Sequence, residues 1–310
     1  MNKLRIAIIG CKNMGQKHLK TLRENFADTA KVVGILTSTP ESSKRRAAEL
    51  EVGYFNDIEE ITADKVDAVI VATPALTHTE ISEKLLLRGI PCLIEKPLAT
   101  TLADCERLIT AAKSGKTFIA AGHVENYNPA VNRLKEELHA PVVSISGIRT
   151  SRNAINKTGI SAVQELMIHD LAIVYSLLGN DLEASFIEKR PDLSWKNHAI
   201  VTLKYKSGAD VKLEALREDR AVARFMDVQD DEGNLFHIDF MESRLIQNGK
   251  VLTEGGQSLK NELADFICCV KDKSVPLVGA REATNILGLC LELEKGMTVG
   301  VPFIHHNFSR

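Results

Sequence analysis

The sequence predicts an α/β protein in which an N-terminal doubly wound parallel sheet is followed by an α+β domain with a large, mainly antiparallel sheet. Three observations support this. Apolar runs alternate with helical patterns over residues 1–122, the grammar of βαβ crossovers. The first apolar run enters a glycine-bounded turn, Gly10 to Gly15, that leads straight into a helix. After Asn128-Pro129 strand-like runs succeed one another without helices between them, which antiparallel neighbours allow and parallel ones do not.

Residues 5–9 form the first strand and residues 14–24 the first helix. The turn Gly10-Cys11-Lys12-Asn13-Met14-Gly15 places backbone N–H groups and a helix N-terminus where a dinucleotide pyrophosphate binds in a Rossmann-type domain. Gly10 makes the tight turn and Gly15 permits close helix packing, but Lys12 replaces the middle glycine of G-x-G-x-x-G. Its side chain either points away from the phosphates or meets them with its ammonium. An ordinary strand-to-helix turn would use the same residues, so the motif needs its context. Strands at 32–36, 68–72, 91–94 and 118–121 alternate with helices at 41–51, 79–87 and 102–112, and right-handed crossovers join them into one sheet.

The expected division is a dinucleotide domain at 1–122 and a substrate and oligomerisation domain at 123–310, whose last helices can pack back on the first domain. The second part reads as a helix at 130–138, a strand at 142–148, a polar loop at 149–158 and a helix at 161–178. Strands follow at 183–188, 199–205, 209–215, 224–229 and 235–240, then helices at 259–270 and 280–294. Ser207-Gly208 and Glu232-Gly233-Asn234 mark hairpins.

A chain of 310 residues with 44% apolar and 26% charged residues and a net charge of −2 needs no polyanionic partner. Nucleic acid is not expected. Lys44-Arg45-Arg46 is a local basic cluster offset by Glu41 and Glu49, the pattern of a solvated helix face. Six cysteines without C-x-x-C spacing point to reduced thiols and no metal framework. No run approaches a membrane span, and Arg5 interrupts the only signal-like segment; the expected location is the cytoplasm, with no membrane partner.

Thr73-Pro74 closes the strand at 68–72, with His78 shortly after. Strand carboxyl ends face the ligand crevice of open α/β sheets, although Thr-Pro is also an ordinary turn and His78 also suits helix packing. Glu95-Lys96-Pro97 follows the next strand. Lys96 there can hydrogen-bond a substrate hydroxyl and stabilise the alkoxide that gives up hydride, with Pro97 fixing the turn. Glu165 and His169 lie four apart, so on an α-helix they share a face, and the carboxylate can orient an imidazole acting as general base. Arg149, Arg152 and Lys157 lie within the polar loop and can hold a diphosphate; a solvated linker has the same composition. After the second strand the chain reads Thr37-Ser38-Thr39, with Lys44 and Arg45 in the next helix. An acid that would accept the adenosine ribose and repel a 2′-phosphate is missing there, so NADP is slightly favoured over NAD.

Taken in order, Ile9-Gly10, Met14-Gly15 with His18, Thr73-Pro74 with His78, Glu95-Lys96-Pro97, Gly122-His123-Val124-Glu125 with Asn128-Pro129, and Glu165 to Asp170 resemble the glucose-fructose oxidoreductase, inositol dehydrogenase and MocA-type family. Gly122 to Ala130 and Leu166-Met167-Ile168-His169-Asp170 look most like its UDP-N-acetylglucosamine 3-dehydrogenase and virulence-factor-like branch. The resemblance implies an NAD(P)-dependent oxidoreductase acting on a secondary hydroxyl of a sugar, with a UDP-linked amino sugar as the nearest guess. It implies Lys96, His169 and Glu165 as the catalytic set. The residues expected at the cofactor, from the motifs and the resemblance together, are Gly10, Lys12, Asn13, Met14, Gly15, Thr37, Ser38, Lys44, Arg45, Thr73, Pro74, His78, Glu95, Lys96 and Pro97. The substrate would meet Lys96, Glu125, Tyr127, Asn128, Arg149, Arg152, Lys157, His169 and Asp170, and a homodimer or homotetramer would form on the open sheet face. Departures from the family pattern stand at Lys12, Thr37, Glu165 (usually aspartate) and Ala172 (often an acid). Lys12, Thr37 and Ala172 leave open a non-catalytic dinucleotide or sugar-nucleotide sensor on the same fold, and an assembly subunit is a third reading.

Overall fold

A computed structural model describes residues 3–152, 160–190, 192–194, 196–217, 222–299 and 303–304. The chain forms two compact units, Met1–His123 with Leu259–Thr284, and Val124–Ser258 with Asn285–Arg310.

The first unit holds strands β1 (Leu4–Ile9), β2 (Ala30–Leu36), β3 (Ala68–Val71), β4 (Cys92–Glu95) and β5 (Ile119–Gly122) in the order β2-β1-β3-β4-β5. All the pairs are parallel. Every residue of β3, β4 and β5 is buried, as expected of strands covered on both faces. Helices α1 (Asn13–Asn25), α2 (Pro40–Glu49), α3 (His78–Leu87) and α4 (Leu102–Ser114) make the crossovers. The strand order reverses between β1 and β3, which is where ligands bind in such sheets. A later helix, α7 (Ser258–Asp272), joins this unit: Leu263, Phe266 and Ile267 share a core with Ile6, Ile8 and Leu93. Side chains of that size contribute about 1.5–3 kcal/mol each when fully buried.

The second unit carries helices α5 (Pro129–Glu137) and α6 (Ile168–Leu178) and strands β6 (Val142–Ser151), β7 (Leu182–Glu188), β8 (His198–Tyr205), β9 (Asp210–Arg217), β10 (Arg224–Asp230), β11 (Leu235–Asp239), β12 (Arg244–Gln247), β13 (Lys250–Thr253) and β14 (Phe303–Ile304). Their order is β13-β12-β11-β10-β6-β9-β8-β7-β14. Among the described residues of this sheet, β6 and β9 alone pair in parallel. Inward residues such as Met226 and Val228 of β10 and Val201 and Leu203 of β8 pack against Leu171, Val174 and Leu134 of the helices. The long last helix, α8 (Ala280–Val299), contributes Ile286, Cys290 and Leu293 to the same core.

Two readings of the sequence are corrected here, and one element that it missed is added. Arg149 belongs to β6 and not to a polar loop, because β9 and β10 supply partners on both sides, Ala215 and Arg224. Residues Val163–Met167 form a π-helical turn before α6, so Glu165 and His169 do not lie on one continuous α-helical face. The hairpin of β12 and β13 was legible but unread: Asn248-Gly249 joins them with φ of 47° and 84°, the two-residue turn that matches strand twist.

Glu262 of α7 is only 1% exposed and its carboxylate has no hydrogen-bond partner. Burial, then the charges of Glu95 and Asp265, push its pKa well above the usual carboxylate range. A raised folded pKa contributes stability below the unfolded value of about 4.3 that is lost as pH rises through the folded value. Glu262→Gln should therefore raise Tm at pH 8 more than at pH 4; melts showing the same offset at both would refute this.

Candidate active site

The glycine turn forms because nothing but hydrogen fits it. Gly10 has φ of 85° and a Cβ there would stand 2.5 Å from the carbonyl oxygen of Ala72, while one on Gly15 would stand 1.9 Å from that of Gly10. The loop thus lies against the end of β3, beside Thr73. Lys12 occupies the N-cap of α1, where no side chain caps the helix and no acid sits in the first turn. By contrast Thr39, Thr101 and Asn128 cap α2, α4 and α5 with their side chains. The uncapped N–H groups of Asn13, Met14 and Gly15 suit an anion, so these residues fit a dinucleotide pyrophosphate.

Buried histidines hold the neighbouring motifs. His78, 1% exposed, sets Nδ1 2.9 Å from the Pro97 carbonyl and Nε2 2.9 Å from the Thr73 carbonyl. Burial lowers its pKa despite those carbonyls, and a neutral ring donates to one of them at a time. His18, fully buried on α1, meets Glu95 Oε1 at 2.8 Å. Burial would raise the Glu95 pKa, but the hydrogen bond and charge of His18, with the charge of Lys96, bring it below the usual range. Gly122 packs on Glu95, since a Cβ there would lie 3.0 Å from its Cα. Lys96, half-buried, follows directly, and the Lys96–Pro97 peptide is cis. His78 and His18 are therefore positioning groups that join Thr73-Pro74, the glycine-loop helix and Glu95-Lys96-Pro97 at one sheet edge.

At the end of β2, Thr37 Oγ1 hydrogen-bonds the hydroxyls of Ser42 and Ser43, and its N–H donates to Ser43 Oγ at 2.9 Å. Ser38, Lys44 and Arg45 are exposed, with Arg45 3.9 Å from Glu49. Arg46, unassigned from sequence, donates from Nε to the Cys11 carbonyl at 3.3 Å and pairs with Glu49. It is the cation of α2 that touches the glycine loop.

In the second unit Arg149, 2% exposed, is clamped by two acids. It donates to Asp170 from Nε at 3.0 Å and from Nη2 at 2.8 Å, and to Glu125 from Nη1 at 3.0 Å. Asn128 donates to the other oxygen of Glu125 at 3.1 Å. Burial opposes the charge of Arg149, yet the two acids raise its pKa, while burial raises that of Asp170 in spite of Arg149. Its guanidinium is thus committed internally. Tyr127 is buried and His169 half-buried beside Asp170. Glu165 receives a hydrogen bond from Arg217 Nη2, a partner that sequence spacing had not suggested. Arg152 is exposed, and Lys157 lies outside the described residues.

Residues 4–123 match the model of an oxidoreductase family, Gfo/Idh/MocA, with an NAD-binding Rossmann fold. UDP-N-acetylglucosamine 3-dehydrogenase of Acidithiobacillus ferrooxidans is 27% identical over 273 residues, 86% of this chain and 84% of the relative. Over residues 4–123 the chain thus resembles the NAD-binding domain of the Gfo/Idh/MocA oxidoreductases. A solved structure of that dehydrogenase shares the fold with a TM-score of 0.86 at 22% identity, over 94% of this chain and 97% of the other. Inositol 2-dehydrogenase 1 of Saccharopolyspora erythraea is 30% identical over 188 residues, 58% of this chain and 56% of the relative. The WlbA dehydrogenase from Bordetella pertussis, solved with NADH and UDP-GlcNAcA, shares the fold with a TM-score of 0.82 at 16% identity, over 99% of this chain and 100% of the other.

In this chain the motif that carries Glu125 also contains His123, which sequence reading noted without a role. Its ring is 1% exposed, neither nitrogen is hydrogen-bonded, and burial, then the Lys96 charge, lowers its pKa to about 4. A depressed folded pKa gives stability that is present above the unfolded value of about 6.5 and lost as pH falls toward the folded one, here on the order of 3 kcal/mol. The fall of Tm between pH 6.5 and pH 4 should flatten in His123→Gln; an unchanged slope would show that His123 does not titrate in this range.

Proposed function

We propose that this oxidoreductase oxidises a secondary hydroxyl of a sugar, carried in the preferred case on a nucleotide, or runs the same path in reverse. The observation that supports it most is the anchoring of Glu95 by His18, with His78 at the carbonyls of Thr73 and Pro97. These bonds restrain the backbone on both sides of Lys96, and a fixed ammonium stabilises developing oxyanion charge far better than a mobile one. When bound, the nicotinamide supplies the hydride acceptor. The ammonium of Lys96 donates to the reacting oxygen, and His169 takes the hydroxyl proton. Glu165 is proposed only as a positioning residue, and its carboxylate is held by Arg217. Glu125, Tyr127, Asn128 and Asp170 border the substrate, and Arg152 and Lys157 remain proposed contacts to it. The presence of both Lys96 and His169 favours turnover over a sensor role.

Lys96→Met and His169→Asn should each lower turnover by about 10²–10⁴-fold while dinucleotide affinity stays within a few-fold. Steady-state rates on a panel of UDP-sugars, free sugars and inositols, alongside fluorescence titration of the reduced dinucleotide, test this. Wild-type turnover in either variant would remove that residue from the mechanism, and no hydride transfer with any member of the panel would defeat the reading.

We propose further that NADP(H) binds at least as well as NAD(H). Thr37 and Ser38 present hydroxyls where an acid would repel a 2′-phosphate, and Lys44, Arg45 and Arg46 lie along the adjoining helix. Thr37→Asp should swing preference toward NAD(H). Tighter NADH than NADPH binding by the unmodified protein, or no change on Thr37→Asp, would overturn it. Self-association is proposed through the open sheet face, where Phe186 and Phe225 stay 41% and 37% exposed.

A further inference from the structure

Two arginines stand directly opposite each other on the inner face of the larger sheet. Arg149 of β6 and Arg224 of β10 are cross-strand partners, a position in which like charges repel. Arg149 is fully served there. Glu125 and Asp170 take its N–H groups, and its guanidinium carbon lies 4.8 Å from the centre of the Phe240 ring. Arg224 has no such partners. Its Nε is buried without an acceptor, and its guanidinium hydrogen-bonds no other residue among those described. Burial, then the charge of Arg149, lowers its pKa. The two acids within its electrostatic reach, Glu125 and Asp170, are already hydrogen-bonded to Arg149. A half-buried guanidinium with unused donors beside a second cation is costly unless something negative reaches it.

We propose that Arg224 receives an anionic oxygen group of the substrate, either the diphosphate of a sugar nucleotide or the carboxylate of a uronic acid. Both offer the planar guanidinium paired oxygens. Asp170 follows His169 in α6 and is bonded to the arginine opposite Arg224, so the anionic group belongs at the same end of the sheet as the proposed base. This assignment rests on the sugar-oxidising reading for the substrate's class but not for the binding itself. It also moves the anion contact from Arg149, which the sequence had offered, to a residue without a sequence motif.

The test is calorimetric titration of the full-length protein with three probes: UDP, glucuronate and neutral N-acetylglucosamine. Unmodified protein, Arg224→Met and Arg224→Lys are compared, with dinucleotide affinity as the check of folding. One of the two anions should bind the unmodified protein and weaken about 10–100-fold in Arg224→Met, with part restored in Arg224→Lys and neutral sugar unaffected. UDP weakening assigns the diphosphate, and glucuronate weakening assigns the carboxylate. The proposal is overturned if neither anion binds the unmodified protein, if neither weakens, or if neutral sugar weakens equally. Should Arg224→Met lose dinucleotide binding, Arg224→Gln carries the same comparison. Because binding is read without turnover, failure to oxidise any sugar would defeat the functional reading while leaving this result standing.

Discussion

A carboxylate buried at the carboxyl end of β4 needs a hydrogen-bond partner where it stands, and Glu95 meets Nε2 of His18 from α1 at 2.8 Å. Leaving a buried polar group without its hydrogen-bond partner typically costs about 1–3 kcal/mol, and more where the group is charged. The glycine loop, the helix that follows it and the strand that presents Lys96 are therefore held in a common frame. Close packing reinforces that frame, since neither Gly10 nor Gly15 has room for a side chain.

The second unit solves the same problem with a different set. Arg149 enters the core because its strand is paired on both sides, and its charge is carried by Asp170 and Glu125. Asp170 lies just beyond the π-helical turn, so the arginine also ties the start of α6 to the sheet. The residue before Asp170 is the proposed base. A catalytic group on a helix start held by a buried bidentate pair loses little entropy when it acts.

Much of this architecture was legible. The alternation of apolar runs and helical patterns, and the glycine turn, report local backbone preferences, and the five parallel strands lie close to where the pattern put them. Glu95-Lys96-Pro97 was readable for the same reason, as a short motif after a strand. Arg149 was misread because a run of polar residues looks like a loop until its neighbours supply a ladder. The π-helical turn was hidden because the spacing of Glu165 and His169 is compatible with an α-helix. Arg224 carried no local signal at all, for its meaning comes from the register that sets it opposite Arg149.

By itself the sequence determined the order of elements and the glycine turn, and it offered Lys96 and His169 as candidate groups for moving charge and protons. Those properties follow from backbone periodicity, glycine stereochemistry and side-chain pKa, none of which needs a distant partner. Only the tertiary structure decided which charges are spent on the fold: Glu95 on His18, Arg149 on Asp170 and Glu125, Glu165 on Arg217. The physical reason is that neutralising a buried charge requires a partner within a few ångströms, and packing draws that partner from residues remote in the chain.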